Sequence, residues 1–441
     1  MSAHAAPELL LPAGDPEKLR YAIAYGADAV YLGLPMASLR TPSRGQQFTP
    51  DNLAQWIGYA QSRGVKAYVT INIFPSNRDL DRIAPHLEHL EAVRPDAIIF
   101  SDPGVYRLAR KHAPSVPLHL STQANTLNVA ACAFWQDLGV ERVILAREVP
   151  LREIREIHEQ LPNLELECFV HGSLCVAYSG RCVISDYLTD NTKNSNKGMC
   201  GNSCRWEFEH ADTELSSPPP SMQMREKSRP HEVYTFEEDE KGTYMLNSKD
   251  LCLVPHLAKL RDAGIVSFKV EGRTKSVFYA ATVGRIYRQA IEYIQAHDAD
   301  PPETLYTGWV EELSMAGNRG FTEGFFHGRP NRSAYQYETS QSQQGSVFIA
   351  TAELSNEQPA VENGRLKLRA RNPFQAGEDL EWLTPTGVVP LNSVAVYDDL
   401  GLPRQAVQTN QTAWLDIPAE VPAEALPWSI LRRKERQPVA C

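Results

Sequence analysis

Over the first three hundred residues, short apolar runs alternate with longer stretches of helical periodicity. The runs are ELLLPAG (8–14), AVYLG (29–33), KAYVTIN (66–72), AIIFSD (97–102), PLHLSTQ (117–123), RVILARE (142–148), LELECFVHG (164–172) and VSFKVEG (266–272). They are rich in Val, Ile, Leu and Tyr and often end at Gly or a polar residue, which predicts eight strands. Helical patterns lie between them. DPEKLRYAIAYG opens with Asp15 as N-cap and Pro16 at the first helical position. TPDNLAQWIGYAQSRG, DPGVYRLARKH, NVAACAFWQDLG and PLREIREIHEQL follow, and SVFYAATVGRIYRQAIEYIQA repeats apolar residues at three- and four-residue steps. Eight strand–helix units in tandem predict an α/β fold, a closed (β/α)8 TIM-like barrel over residues 1–300. An open doubly wound sheet would usually carry a Gly-rich phosphate turn after its first strand, and PAGDPEKL is not G-x-G-x-x-G.

The seventh unit is interrupted by an insertion over residues 173–265. SKDLCLVPHLAKLRDAG at its end reads as a helix, and the rest holds four cysteines and the Pro-, Ser- and charge-rich stretch SSPPPSMQMREKSRP. A long insertion after a barrel strand falls on the C-terminal face, where barrel active sites are built. Residues 301–344 read as a connector with a few helical turns. From 345 to 441 the pattern becomes short alternating segments (GSVFIATAEL, RLKLRAR, EDLEWLTP, LNSVAVYDD, AWLDIPA, WSILRRKE), which predicts a small C-terminal all-β domain.

Composition narrows the function classes. Apolar residues make up 42% and charged residues 22% of the chain, ordinary for a folded protein and unlike a collagen, a coiled coil or a disordered chain. No window approaches the roughly 18 uninterrupted apolar residues of a membrane span. The start MSAHAAPELLLPAG lacks a basic n-region and a long apolar segment, so a cytoplasmic protein is expected. A net charge of -10 argues against a protein that coats nucleic acid, while leaving room for local basic patches. Two such patches are Arg181, Lys193, Lys197 and Arg205 beside the cysteines, and Arg432, Arg433, Lys434 and Arg436 near the end.

Four of the eight cysteines follow the spacing Cys175-x6-Cys182-x17-Cys200-x3-Cys204. Clustered thiolates are soft anionic ligands for zinc or an iron–sulfur cluster. Zinc ribbons usually pair two tight knuckles, and only the second pair here is tight. The wide first pair and the neighbouring Gly172, Gly180, Gly198 and Gly201 suit a loop around a larger object such as [4Fe–4S]. Four buried thiols serving as small hydrophobes would not explain the density or the polar surroundings. Cys132, Cys168 and Cys441 read as structural, and Cys252 as a reserve ligand. The radical S-adenosylmethionine pattern C-x3-C-x2-C is not met, because Glu207 stands at the third position. No G-x-S-x-G, H-E-x-x-H or Walker A sequence occurs.

Residues two apart on a strand share a face. Ser121, Gln123 and Asn125 form one such set; Glu165, Glu167 and His171 a second; Lys269, Glu271 and Arg273 a third. Charges repeating toward a barrel lumen are costly unless paired or functional, so His171, Glu167, Lys269, Glu271 and Arg273 are the candidate catalytic residues. The bland alternative has Lys269 and Glu271 neutralising each other, with His171 a satisfied core imidazole.

The segments ECFVHGSLCVAYSGRCVIS (167–185) and KGMCGNSCRWEFE resemble signatures of peptidase family U-32. PELLLPAGDPEKLRYAIAYGADAVYLG, GTYMLNSKDL and KVEGRTKS resemble others, so the likeness covers most of the chain. Despite the family's name, the resemblance implies an oxygen-independent hydroxylation factor with a [4Fe–4S] cluster on Cys175, Cys182, Cys200 and Cys204. It is nearest to the branch that makes 5-hydroxyuridine at the tRNA wobble uridine, with prephenate as hydroxyl donor. The implied partners are therefore the tRNA anticodon loop, a small-molecule donor and the iron–sulfur assembly machinery. Other branches act on a 23S ribosomal RNA cytidine or the ubiquinone ring, and the historical name leaves a peptidase as a further alternative. In the tRNA reading Lys269, Arg273 and Arg181 would bind donor carboxylates, His171 or Glu167 would move protons, and Tyr178 or Trp206 would stack on the flipped base.

Overall fold

The computed structural model describes residues 6–34, 37–39, 47–188, 195–197, 200, 204, 221–225, 233–239, 242–244, 248–336 and 342–435. All eight apolar runs form strands. They are β1 (Glu8–Pro12), β2 (Ala29–Leu32), β3 (Lys66–Ile71), β4 (Ala97–Phe100), β5 (Leu118–Leu120), β6 (Arg142–Ile144), β7 (Glu165–Ser173) and, after the insertion, β12 (Ile265–Val270). Each pairs in parallel with its neighbour, and β12 pairs with both β1 and β7, which closes an eight-stranded barrel. The strands are short because they are buried on both faces, lumen and helix layer, so an unbroken apolar run suffices.

Around the barrel lie α1 (Pro16–Ala24), α2 (Pro50–Gln61), α3 (Asn77–Val93), α4 (Pro103–His112), α5 (Val129–Asp137) and α6 (Leu151–Gln160). Three of them start on the same device. Asp15, Thr49 and Asp102 each accept a backbone N–H of the first turn, with Pro at the first helical position.

The insertion begins with α7 (Ile184–Leu188) and contains a three-stranded antiparallel meander, β8 (Ser221–Arg225), β9 (Val233–Asp239) and β10 (Gly242–Tyr244). The helix expected over 248–264 is only half present. Asp250–Cys252 forms β11, antiparallel to the end of β7, and the helix α8 spans Leu257–Asp262. Pro255 lies in a 3-10 turn, Val254–His256, between the two. The apolar residues Leu251, Cys252 and Leu253 meet their burial requirement by extending the barrel sheet rather than by forming a helical stripe.

After α9 (Val277–His297), α10 (Glu303–Ser314) and β13 (Phe321–Thr322) complete the rim, with β13 pairing to β11. The C-terminal strands form an antiparallel sheet in the order Val361–Glu362, Arg365–Ala370, Ser346–Ala352, Ile430–Lys434, Leu380–Leu383, Val388–Leu391. Beyond Leu391, the run expected over 391–399 makes only two isolated bridges, both at Tyr397, to Pro403 and Trp414. The strand there is Val388–Leu391, whose Pro390 is tolerated at the sheet edge. Tyr25 of α1 donates to the Trp428 carbonyl at 2.7 Å, anchoring this sheet to the barrel. Arg432 is buried between Glu312 of α10 (2.8 Å, twice) and Glu381 (2.7 Å). Arg433 pairs with Glu378 and Lys434 with Glu381. The basic run read as a local patch is thus paired with carboxylates of this chain, with Arg436 outside the described residues.

Candidate active site

The C-terminal ends of the barrel strands surround a cavity of about 110 Å³. Thr70 and Asn72 enter it from the end of β3, Arg147 from beyond β6, Phe169 from β7, and Lys269, Glu271 and Arg273 from β12 and its extension. Cys175, Tyr178, Ser179, Gly180 and Cys182 form its lid-side wall, joined by Asn196 and Cys200. Cys175, Cys182, Cys200 and Cys204 are all half-buried. Three of the four candidate ligands therefore border one cavity, and Cys204 lies outside the described wall.

Local contacts hold this loop over the barrel. Ser179 Oγ accepts from the Arg147 backbone at 3.3 Å, and the Ser179 N–H donates to Glu148 at 2.9 Å. Gly180 has φ +73° and packs on the Gln123 carbonyl, where a Cβ would collide. Farther along, Asn196 donates to the Cys182 carbonyl at 3.2 Å and accepts from Phe74 N–H at 2.9 Å through its own carbonyl.

Arg273 is buried at the back of the cavity. It donates to Ser38 Oγ (2.6 Å), Thr70 Oγ1 (2.8 Å) and the Leu39 carbonyl. The Arg147 guanidinium sits 4.0 Å from the Phe169 ring centroid. Lys269 bonds Glu167 at 2.7 Å and lies 4.5 Å from the Tyr31 ring centroid. Burial lowers the Lys269 pKa, opposed by Glu167 and reinforced by the nearby Arg142 and Arg273. Lys269 is therefore neutralised by Glu167, not by Glu271. Glu271 is the acidic residue among the described cavity-lining side chains.

The Glu167 carboxylate is fully buried below the cavity, bridging Lys269 and Arg142 (3.2 Å), so it is locked in an ion network rather than presented to a substrate. His171 does not share its face. A register shift between Lys269 and Val270 breaks the two-residue alternation where β7 pairs with β12. His171 turns toward α9, packed among Tyr279, Tyr287 and Phe321. Burial there, with Lys275 nearby, lowers its pKa to about 3, so it stays neutral. The acid–base role expected for both residues has no route to the cavity.

Cys252 is also turned away. It lies against Tyr287, and burial pushes its thiol up to about 11, against hydrogen bonds from Val254 and Tyr287. A buried protonated thiol is a poor ligand. Ser121 and Gln123 line the cavity, whereas Asn125, in left-handed backbone, does not. Arg181 is exposed and absent from the described wall; Lys193, Arg205 and Trp206 lie outside the described residues. Tyr178 is 57% exposed at the lip. Tyr31, Thr70, Asn72 and Arg147 escaped the sequence reading. Their one signal was position, at or near the C-terminal ends of barrel strands.

A family model described as "Peptidase family U32" matches residues 14–336. The chain belongs to this family. Among U32 relatives, "tRNA hydroxylation protein P" of Escherichia coli is 39% identical over 444 residues, covering 94% of each chain. The protein of the same name from Haemophilus influenzae is 39% identical over 417 residues, covering 88% of each. A protein named "Collagenase" from Porphyromonas gingivalis is 31% identical over 332 residues, covering 73% of this chain and 74% of that one. No helix among the described residues is long and apolar enough to cross a membrane.

Proposed function

We propose that this protein is a tRNA-modifying enzyme that makes 5-hydroxyuridine at the wobble position without dioxygen. In this reading Cys175, Cys182, Cys200 and Cys204 hold a [4Fe–4S] cluster and prephenate is the hydroxyl donor. The observation that carries it is the convergence of three of those cysteines on one cavity with Lys269, Glu271 and Arg273. The relatives named for tRNA hydroxylation, 39% identical over most of both chains, support tRNA over ribosomal RNA or a quinone.

The donor set fits such a cluster. Four thiolates are the usual cage, and the four cysteines are half-buried, three of them bordering the cavity. When bound, the cluster supplies electron transfer or Lewis acidity toward a small hydroxyl donor. The chain's own residues do the rest. Arg273 and Arg147 give the cavity the positive charge that a dicarboxylate requires, and the hydroxyls of Ser38 and Thr70 hold the Arg273 fork in place. Glu271 can hold or move a proton on the same wall. Tyr178 offers an exposed ring on which an extruded base can stack. Exchanging a C5–H bond for C5–OH is a two-electron oxidation of the base, and the donor is reduced correspondingly.

Nucleoside analysis tests the reading in cells lacking the gene and any redundant enzyme. Wild type should restore 5-hydroxyuridine derivatives and Cys182→Ser should not; unchanged levels in the deletion would defeat it. Iron and sulfide in anaerobically purified protein should approach four each per chain, the composition of [4Fe–4S]. A peptidase reading rests on names, those of the family and of relatives such as the collagenase, and no histidine lines the described cavity to activate a nucleophile.

A further inference from the structure

Away from the cavity, a second cluster carries ligand chemistry that the hydroxylation reading does not use. His256 ends the 3-10 turn that leads into α8, while Glu323 and His327 lie four residues apart just after β13. His256 Nε2 is 2.7 Å from Oε1 of Glu323, and His327 Nε2 is 3.3 Å from Oε2. One carboxylate therefore holds two imidazoles, one on each oxygen. A ligand atom from each of the three residues lies within 4.8 Å of the other two.

The chain builds this arrangement rather than leaving it to long mobile side chains. Gly324 (φ +57°) and Gly328 (φ +117°) take left-handed backbone, and Phe326 N–H and Gly328 N–H close successive turns onto the Glu323 and Phe325 carbonyls. That curl brings Glu323 and His327 to the same side. Phe326 between them is buried and stacks on the His256 ring, with centroids 4.5 Å apart and planes 11° from parallel. Its carbonyl accepts from Leu151 N–H at 3.1 Å, which ties the turn to α6.

We propose that His256, Glu323 and His327 bind a divalent first-row transition ion, zinc foremost, with its remaining positions open to water. Two imidazoles and a carboxylate form a nitrogen-rich set suited to zinc, whereas magnesium and calcium demand oxygen ligands throughout. Zinc bonds of about 2.0–2.1 Å place tetrahedral ligand atoms about 3.4 Å apart. Glu323 and His327 are both exposed, so they can adjust to that spacing by side-chain rotation around the fixed His256. His256 Nδ1 is buried without a hydrogen-bond acceptor among the described residues. An unsupported ring N–H weakens a ligating histidine, typically by about 10–100-fold in affinity relative to one whose ring N–H is held. The bound ion would tie the β11–α8 segment to the turn after β13, two stretches 67 positions apart in the chain.

The test uses full-length protein with its iron content intact, titrated with Zn²⁺ calorimetrically and with Co²⁺ as the spectroscopic probe. One Zn²⁺ per chain should bind, raising the thermal midpoint. Co²⁺ should give d–d bands with no sulfur-to-metal charge transfer. Glu323→Gln and His327→Gln, both at exposed positions, should each weaken zinc by at least about tenfold with iron content and circular dichroism unchanged. Three results would overturn the site: no zinc bound at millimolar concentration, equal binding by wild type and both variants, or cobalt binding only with thiolate bands. Because the readout is metal content and spectrum, failure here leaves the hydroxylation reading intact, and the reverse also holds.

Discussion

At the floor of the barrel, where the strands begin, Arg142 donates to Glu8 (2.7 Å), Glu165 (2.8 Å) and Glu167 (3.2 Å), and Glu167 also binds Lys269, a residue of the cavity wall on β12. Tyr68, Ser267 and Lys66 donate further bonds to Glu8. At the mouth, a few residues farther along the same strands, Arg273, Arg147 and Glu271 line a cavity beneath the cysteine loop. The residue types are alike at both ends. At the floor each charge is matched inside a closed network, so the ions serve stability and register. At the mouth Arg273 donates to the hydroxyls of Ser38 and Thr70 and to the Leu39 carbonyl, Arg147 stacks on Phe169, and both border the cavity. Position along the strand, rather than residue type, separates an ion closed into the network from one that borders the cavity.

Mutations at the two ends should therefore fail differently. The largest effect belongs to the mouth: Cys200→Ser should take tRNA hydroxylation to background, read by nucleoside analysis, while the denaturation profile keeps a single cooperative transition. At the floor, Glu167→Ala leaves Arg142 and Lys269 buried without their shared partner. It should cost about 3–5 kcal/mol in chemical denaturation; a loss below about 1 kcal/mol would erase the distinction drawn between the two ends.

Acid probes the buried groups together. Burial lowers His86 to about 4 and His171 to about 3, and the unfolded chain takes up these protons near pH 6.5. Their contribution is thus present above pH 6.5 and lost as the pH falls toward 3–4, about 2 kcal/mol for each by pH 5. Glu8 adds to this below pH 4.5. Burial alone would raise its carboxyl, but Arg142, with help from Tyr68 and Lys66, holds it below the usual range. A denaturation midpoint that stays flat from pH 7 to 5 would contradict the buried placement of both histidines.

Smaller effects sharpen the contrast. Gly180→Ala forces a side chain into left-handed backbone against Gln123, at about 1–3 kcal/mol of local strain. It should loosen the cysteine loop and reduce iron retention more than global stability. Lys66, 55% exposed, contributes the solvent-facing edge of the floor network at 3.3 Å from Glu8. Lys66→Ala should cost under about 1 kcal/mol and nothing in activity.

Much of the fold was legible in the sequence. The eight strands, the closed barrel and the all-β C-terminal region follow from local patterns, and each is present because the barrel demands what the runs supply. The misread elements share a cause. Residues 250–252 were expected in a helix but paired with β7, and His171 was expected beside Glu167 but turned outward at a bulge. Both depend on which strand lies alongside, which periodicity does not carry. The partners of the basic run at 432–434 were illegible for a related reason, since Glu312, Glu378 and Glu381 are distant in sequence.

By itself, the amino-acid sequence determined the order of the barrel strands and the place of the insertion, because these follow from nearest-neighbour spacing and residue type. Only the tertiary structure decided which charges neutralise one another, which face His171 and Cys252 take, and which cysteines border one cavity. Pairing across the barrel brings together residues more than a hundred positions apart, such as Glu167 and Lys269. At that range the balance between burial and Coulomb attraction is set by geometry, which composition alone cannot specify.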